Sequence, residues 1–380
     1  MTVSKLFSPI ALGGLTLENR IVVSPMCQYH AADGSATDWH IIHLGQFALS
    51  RAGMVLIEST GVERDGRITP GCLGLYSDEN EAALSRVVSI FKAVGRMPIG
   101  IQLGHAGRKG SSHLPWHGGH GLSAEEGAWA TFSSSPAPYD GRHSAPVMLD
   151  EAGMARVEVA FVDAAKRADR IGLDAVELHA AHGYLLHQFV TPFVNRRTDQ
   201  YGGSRENRLR FPLRVAAALR AAWPRDKALG ARINGPDGVE GGATIEDAIA
   251  FAEGLKALGY DYVCLSAGSL YGGQRFEAAP GYLLPHAEAV RRATGMTTMG
   301  VGMIVDPFLA EEAVAAGKAD LIAIARGFLE DPRWVWHAAE RLGVKMPFPP
   351  EYRGADLSVW QGAPHRPLLV HDPRPKAEAL

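Results

Sequence analysis

The chain has 380 residues, 46% of them hydrophobic and 21% charged, with a formal net charge of −3. That length and apolar content suffice for a large buried core in one big domain or two average ones, and Lys and Arg spread along a near-neutral chain speak against a nucleic-acid binder or a membrane-surface protein. No apolar run reaches the roughly 18 residues that span a bilayer, residues 1–9 lack the apolar stretch of a secretory signal, and the three cysteines, Cys27, Cys72 and Cys264, are too few and dispersed for a disulfide framework or an iron–sulfur cluster; a reducing cytoplasm fits best.

From the N-terminus, short aliphatic runs bounded by Gly, Asp or polar clusters predict strands at 19–26, 53–59, 98–103, 175–181, 229–234, 262–268, 297–302 and 321–327. Helix-like segments separate them, such as 151–171 and 245–258. In the first of these Val157, Phe161, Ala164, Ala165 and Ala168 recur at helical spacing. Eight strand–helix units predict a parallel sheet closed into a (β/α)8 TIM barrel, an α/β fold. An open doubly wound sheet would want a glycine-rich fingerprint after its first strand, where this chain has Ser24-Pro25-Met26-Cys27-Gln28-Tyr29. The expected division is a single barrel domain over 1–348 and a C-terminal tail over 349–380. The tail is too rich in proline for a regular helix or central strand, and is either disordered or in contact with a neighbouring subunit. The long loop after the third strand, 105–147, is expected to form a lid or a wall of the pocket.

Barrel enzymes draw their catalytic groups from the C-terminal ends of strands. Those ends carry Cys27 and Tyr29, Gln102, then His179, His182 and Tyr184, then Arg232, and last Arg326. Two histidines and a tyrosine at one strand end form a donor cluster for a carbonyl oxygen, and two neutral imidazoles would stabilise a developing enolate. Tyr184, with an ordinary phenol pKa near ~10, is a general acid at neutral pH. As zinc ligands the two histidines would want further ligands at other strand ends, where Cys27 and Arg326 stand instead, and Arg326 repels a cation. A Schiff-base aldolase would need a lysine on the sixth strand, which has none. Arg326 and Gly302 fall where barrels hold phosphate, although a structural ion pair accounts for Arg326 equally well. Cys264, inside an apolar strand, reads as packing, and Cys27 alone says little.

The segments LFSPIALGGLTLENRIVVSPMCQY, DWHIIHLGQFA, GIQLGHAGRKG, ELHAAHGYLLHQF and NRRTDQYGGSRENRLRF together resemble the Old Yellow Enzyme family, specifically its bacterial thermophilic-like subgroup, from about Leu6 to Pro332. The resemblance implies an FMN-dependent ene-reductase that takes hydride from NADPH or NADH and reduces the C=C bond of an α,β-unsaturated carbonyl compound. It implies non-covalent FMN lined by Ser24, Pro25, Met26 and Cys27, with Cys27 near its reactive edge and Ser59 at a position that is often alanine. By the same resemblance Gln102 meets the pyrimidine edge, Arg232 sets positive charge beside it, and Gly302, Ala325 and Arg326 hold the phosphate. His179 and His182 would bind the substrate carbonyl, Tyr29 would line the pocket and Tyr184 would deliver the proton; no metal is expected.

Two departures stand out. Val301 replaces a tryptophan of some relatives, and Arg353 lies near, but not in certain register with, a C-terminal arginine that in some members reaches a neighbouring subunit's site. The family suggests a homodimer or homotetramer. The nearest rival, a 2,4-dienoyl-CoA reductase relative, would carry a cysteine-rich cluster segment and further nucleotide-binding domains. A metal hydrolase and a flavin-binding protein without turnover are the more distant ones.

Overall fold

A computed structural model describes residues 4–356 and 358–365 of the chain. The eight apolar runs become eight parallel strands: β1 Ile21–Val23, β2 Met54–Gly61, β3 Ile99–Gly104, β4 Ala175–Ala180, β5 Ala228–Asn234, β6 Tyr262–Ser266, β7 Thr297–Gly300 and β8 Leu321–Ile324. Each pairs with the next in sequence, and β8 returns to β1 through Ile322↔Ile21, Ala323↔Val22 and Ile324↔Val23, closing the (β/α)8 barrel. Five strands end earlier than their apolar runs, and for β1, β6 and β7 the reason is visible. After Ser24, Pro25 has no N–H to continue the ladder. Gly302 has φ +109, outside any sheet conformation, and Gly268 leaves the sheet where its Cα abuts His182, so that a Cβ there would lie 2.4 Å from the His182 Cα.

The strands are short and buried on both faces, because helices cover the outside while side chains fill the inside. The inner cluster includes Val22, Met54, Leu56, Ala175, Ala228, Tyr262, Cys264, Met299, Leu321 and Ala323. A hairpin, Ile10–Leu12 with Leu15–Leu17, closes the N-terminal end by adding Leu12 and Leu17 to that cluster. Large and small residues interdigitate: the Tyr262 ring occupies the space Gly230 leaves, where a Cβ would lie 2.1 Å from the ring.

Outside the barrel, α1 (Asp38–Ala48) follows β1 and α2 (Asp78–Val94) follows β2. Helix α3 (Glu151–Arg170) follows β3; the Asp150 carboxylate caps it by accepting from the Gly153 N–H at 2.7 Å, and its apolar stripe Met154, Val157, Phe161, Ala164, Ala165 and Ala168 is buried. Burying side chains of the size of Met154, Val157 and Phe161 stabilises by about 1.5–3 kcal/mol each. Helices α4 (Leu185–Val190) and α5 (Arg205–Ala222) follow β4, α6 (Ile245–Ala257) follows β5, α7 (Leu284–Thr294) follows β6, and α8 (Pro307–Ala315) follows β7. After β8 come α9 (Arg326–Glu330) and α10 (Trp334–Arg341).

The segment 105–147 is ordered by short 3-10 turns and by a two-residue parallel pairing of Phe132–Ser133 with Val147–Met148. It is tied down by Ser134 Oγ donating to Gln188 O at 2.7 Å and Trp129 Nε1 donating to Asp65 O at 3.0 Å. The chain divides into two compact units, one up to Val344 and one from Lys345. The described part of the second consists of 3-10 turns at Pro350–Ala355 and Ala363–His365 joined by irregular backbone. Among the described residues no helix is long and apolar enough to cross a membrane.

Candidate active site

Side chains alternate along a strand, so on β4 Ala175, Glu177 and His179 point into the barrel together. Glu177 has no solvent exposure, and a carboxylate there must be fully hydrogen-bonded. It is: Oε1 accepts from Gln102 Nε2 at 2.7 Å and from Arg232 Nε at 3.1 Å, and Oε2 accepts from the Tyr262 hydroxyl at 3.2 Å. Arg232 also donates through Nη2 to Ser24 Oγ at 2.9 Å, joining β1, β3, β4, β5 and β6 in one buried network. Burial alone disfavours the guanidinium charge, but Cys264 and the Glu177 carboxylate beside it more than reverse this and raise its pKa. A fixed cation therefore stands in the floor of the mouth.

Above that floor lie His179, His182 and Tyr184. The His179 ring is edge-on to both others, 4.9 Å from His182 and 5.0 Å from Tyr184 between centroids. His182 has φ +60 and Gly183 φ +70, two left-handed residues in a row that turn the chain sharply after β4. This turn is held from outside. Asn234 Oδ1 accepts from the His182 N–H at 2.9 Å, and His187 Nδ1 accepts from the Gly183 N–H at 3.0 Å. Asp237 bridges the two supports, meeting His187 Nε2 at 3.0 Å and Asn234 Nδ2 at 3.3 Å. Gly183 packs so closely on the loop after β6 that a Cβ would lie 2.4 Å from the Ser269 carbonyl oxygen. Gly183→Ala is therefore expected to lower stability by about 1–3 kcal/mol, the cost of a strained left-handed residue with a clash, and to displace His182 and Tyr184. Thermal melting and turnover measured together check this; a variant with wild-type Tm and rate contradicts it.

Burial and the charges of Arg232 and Lys109 hold the pKa of His179 and His182 well below the ordinary imidazole value, with His179 adding to the effect on His182. Both are neutral and present one N–H each. The Ala181 N–H donates to His179 Nδ1 at 3.3 Å, which leaves the proton on Nε2. His182 Nε2 lies 2.7 Å from Ser266 Oγ, and a hydroxyl donating to Nε2 leaves the His182 proton on Nδ1. Burial raises the pKa of Tyr184, Cys27 and Tyr29, so two phenols and a thiol are protonated at neutral pH.

These shifts carry a stability consequence. A histidine whose folded pKa lies below its unfolded value near ~6.5 binds fewer protons when folded, so its contribution is whole above that pH and is lost as pH falls through it. His43, which burial and His40 lower to about 4, belongs with His179 and His182 in this respect. We expect Tm to fall from pH 7 to pH 5, and the His43→Leu variant to lose part of that slope. A flat Tm, or a slope that His43→Leu leaves unchanged, contradicts this.

The rest of the mouth is assembled from neighbouring strand ends. Cys27 lies beside Tyr29 and Ser59, and one small cavity is lined by Ser59, Gly104 and Tyr184 among others. A register shift in β2 sends Glu58 out to His40 on α1, 3.3 Å away, and pairs Ser59 with Gln102. Gly104 keeps a gap open, since a Cβ there would lie 2.9 Å from Ser59 Oγ and 3.3 Å from His179 Cβ. Gly302 and Ala325 follow the adjacent strands β7 and β8, Ala325 caps α9, and Arg326 is exposed. Ser24, Pro25, Met26, Cys27, Tyr29, Ser59, Gln102, His179, His182, Tyr184, Arg232, Gly302, Ala325 and Arg326 thus all belong to the C-terminal mouth of the barrel, with Arg353 in the separate second unit.

Sequence reasoning passed over Glu177, Asn234, Asp237, Ser266 and Lys109. Only Glu177 carried a signal: a carboxylate two residues before His179, at the same parity, inside an apolar strand.

Among the described residues Gln102 Oε1, Arg232 Nη1, His179 Nε2, the Tyr184 hydroxyl and the Arg326 guanidinium have no protein hydrogen-bond partner. Donors, one amide acceptor and a fixed cation around a gap suit a planar ring that carries both carbonyl oxygens and an N–H, with the exposed Arg326 for an anionic tail. No group of three or more His, Cys, Asp or Glu that could hold a metal stands among the described residues.

Residues 5–344 match the model of the NADH:flavin oxidoreductase / NADH oxidase family. The chain is 39% identical over 349 residues to an NADPH dehydrogenase of Geobacillus thermodenitrificans, covering 91% of this chain and 97% of that protein. It is 38% identical over 350 residues to an NADPH dehydrogenase of Bacillus subtilis, covering 92% and 98%. Among solved structures, morphinone reductase superposes with a TM-score of 0.76 at 28% identity, covering 92% of this chain and 93% of that one. A 2-naphthoyl-CoA reductase in complex with 2-naphthoyl-CoA gives a TM-score of 0.80 at 25% identity over 89% of this chain, which spans only 52% of that longer one.

Proposed function

The chain belongs to the NADH:flavin oxidoreductase / NADH oxidase family, that of Old Yellow Enzyme, and from this membership and its barrel mouth we propose that it is an FMN-dependent ene-reductase acting on α,β-unsaturated carbonyl compounds. It is an oxidoreductase that uses a flavin and a nicotinamide reductant. The observation that carries the finer reading is the cluster of two neutral histidines and a protonated tyrosine with mutually edge-on rings.

The residues that would hold FMN are Ser24, Pro25, Met26, Cys27, Ser59, Gln102 and Arg232 around the ring and Gly302, Ala325 and Arg326 at the phosphate. Bound there, the flavin supplies a hydride relay between the nicotinamide and the alkene. His179 Nε2–H and His182 donate to the substrate carbonyl oxygen, and their bonds strengthen as enolate charge develops on it. A neutral imidazole serves better than an imidazolium here, since it gives no proton to the oxygen and leaves protonation to Tyr184 at the α-carbon. Tyr29 and Cys27 line the pocket; Cys27 acts as a thiol, its pKa raised by burial. The nearby Arg232 cation favours negative charge on a ring in the floor of the site.

The test is positional. With NADPH and 2-cyclohexenone in D2O, the reading expects deuterium at the α-carbon of the saturated ketone and protium at the β-carbon. Deuterium at both positions, or no reduction, contradicts it. The same reading includes a cytoplasmic homodimer or homotetramer in which Arg353 contacts substrate in a neighbouring subunit's site; an Arg353→Ala variant with unchanged KM speaks against that contact.

A further inference from the structure

Lys109 sits in the 3-10 turn Gly107–Lys109 that follows β3, inside the segment GRK. Its Nζ donates to His182 O at 2.8 Å and to Ser269 O at 3.3 Å, backbone carbonyls on the loops after β4 and β6. The same Nζ lies 4.7 Å from the Tyr184 ring centroid and 4.9 Å from that of Tyr139. The Tyr139 hydroxyl is in turn 2.7 Å from Ser269 Oγ. The preceding Arg108 acts in parallel, donating to Ala137 O, Pro138 O and Leu270 O. Neither cation forms a salt bridge among the described residues; both use their charge on carbonyl oxygens, and Lys109 on two aromatic faces as well.

We propose that Lys109 is a positioning residue for the acceptor step, clamping the Tyr184 ring and the His182 backbone to the loops after β3 and β6 and facing the phenol with a positive charge as its proton leaves. The inference rests on the functional reading above. Three features separate it from ordinary packing. The ammonium bridges three loops at the one turn that carries both His182 and Tyr184. It touches the face of the Tyr184 ring, while His179 meets that ring edge-on, so the ring is located from two directions. And burial, with the Arg108 charge, lowers the Lys109 pKa to about 7, so a cation here costs free energy that an apolar side chain of similar length would not. When the Tyr184 O–H gives its proton to carbon, negative charge appears on the phenol oxygen and spreads into the ring that the ammonium faces. A cation over a desolvated ring is attracted to it even before that charge develops.

The experiment is stopped-flow on the FMN-loaded enzyme at pH 6, comparing wild type, Lys109→Met, Lys109→Arg, Tyr184→Phe and the Tyr184→Phe/Lys109→Met double variant. Lys109→Met is expected to slow the 2-cyclohexenone-dependent phase about tenfold or more. The NADPH-dependent phase should stay within about twofold and the steady-state KM for the enone within about threefold. Lys109→Arg should recover most of the loss. The double variant should be slower than Tyr184→Phe alone by less than the loss Lys109→Met causes in the wild-type background, because the part of the effect that acts through the phenol is already gone. Equal losses in both phases, an unchanged enone phase in Lys109→Met, or additive losses in the double variant would overturn the proposal. If Lys109→Met melts more than about 5 °C lower, Lys109→Gln carries the same comparison. A wild-type enzyme with no enone-dependent phase overturns the functional reading and this proposal together, whereas a normal wild type beside an unaffected Lys109→Met overturns this proposal alone.

Discussion

Replacing Tyr184 by Phe is expected to slow the enone-dependent step by about 10²-fold or more, the usual contribution of a positioned general acid. The NADPH-dependent step should change little. The ring is fixed by contacts that do not use the hydroxyl: His179 meets it edge-on at 5.0 Å and Lys109 faces it at 4.7 Å. Removing the hydroxyl alone therefore leaves the ring in place, and the Tyr184 backbone N–H still donates to Ala181 O at 3.1 Å. What disappears is the proton, which burial keeps on the phenol well above neutral pH. The split between the two steps is the diagnostic quantity, because damage to the fold would slow both. A Tyr184→Phe variant that reduces 2-cyclohexenone within about threefold of wild type contradicts the assignment, and would favour direct protonation by water or another group.

The second large effect is expected at Arg232. Breaking a buried, hydrogen-bonded ion pair from one side costs about 3–5 kcal/mol, because the remaining charge is left without compensation. Arg232→Leu leaves Glu177 fully buried with only Gln102 and Tyr262 as donors, and strands Ser24 Oγ. We expect a loss of that size in chemical denaturation of the flavin-free protein. Weakened FMN retention should accompany it, since the cation in the floor of the mouth is gone. The Arg232→Leu/Glu177→Leu double variant should cost less than the sum of the single ones, as groups in direct contact do. Single variants that each cost under about 1 kcal/mol, or additive losses, contradict the pairing.

How much of this could be read in advance differs between scaffold and site. The eight strands were legible because parallel strands buried on both faces are continuous apolar runs, and the stripe on α3 because Val157, Phe161, Ala164, Ala165 and Ala168 share one helix face. Strand ends were less so: Pro25, Gly268 and Gly302 stop β1, β6 and β7 inside runs that stay apolar. His179, His182 and Tyr184 stood out because they lie within six residues of one another. Their supports did not, because Asn234, Asp237, Ser266 and Ser269 belong to other strands or the loops after them and meet the cluster only when the barrel closes. Lys109 carried no signal of its own; its partners are two backbone carbonyls and two rings, none predictable from spacing. Glu177 shows the intermediate case, a carboxylate in an apolar strand whose partners Gln102, Arg232 and Tyr262 come from three other strands.

The central claim is tested most directly by an anaerobic absorbance titration of the purified protein with NADPH followed by 2-cyclohexenone. The account predicts a yellow protein that bleaches with one equivalent of NADPH and regains its colour with one equivalent of enone. A colourless protein that cannot be reconstituted with FMN, or a bleached one that the enone leaves bleached, would contradict it.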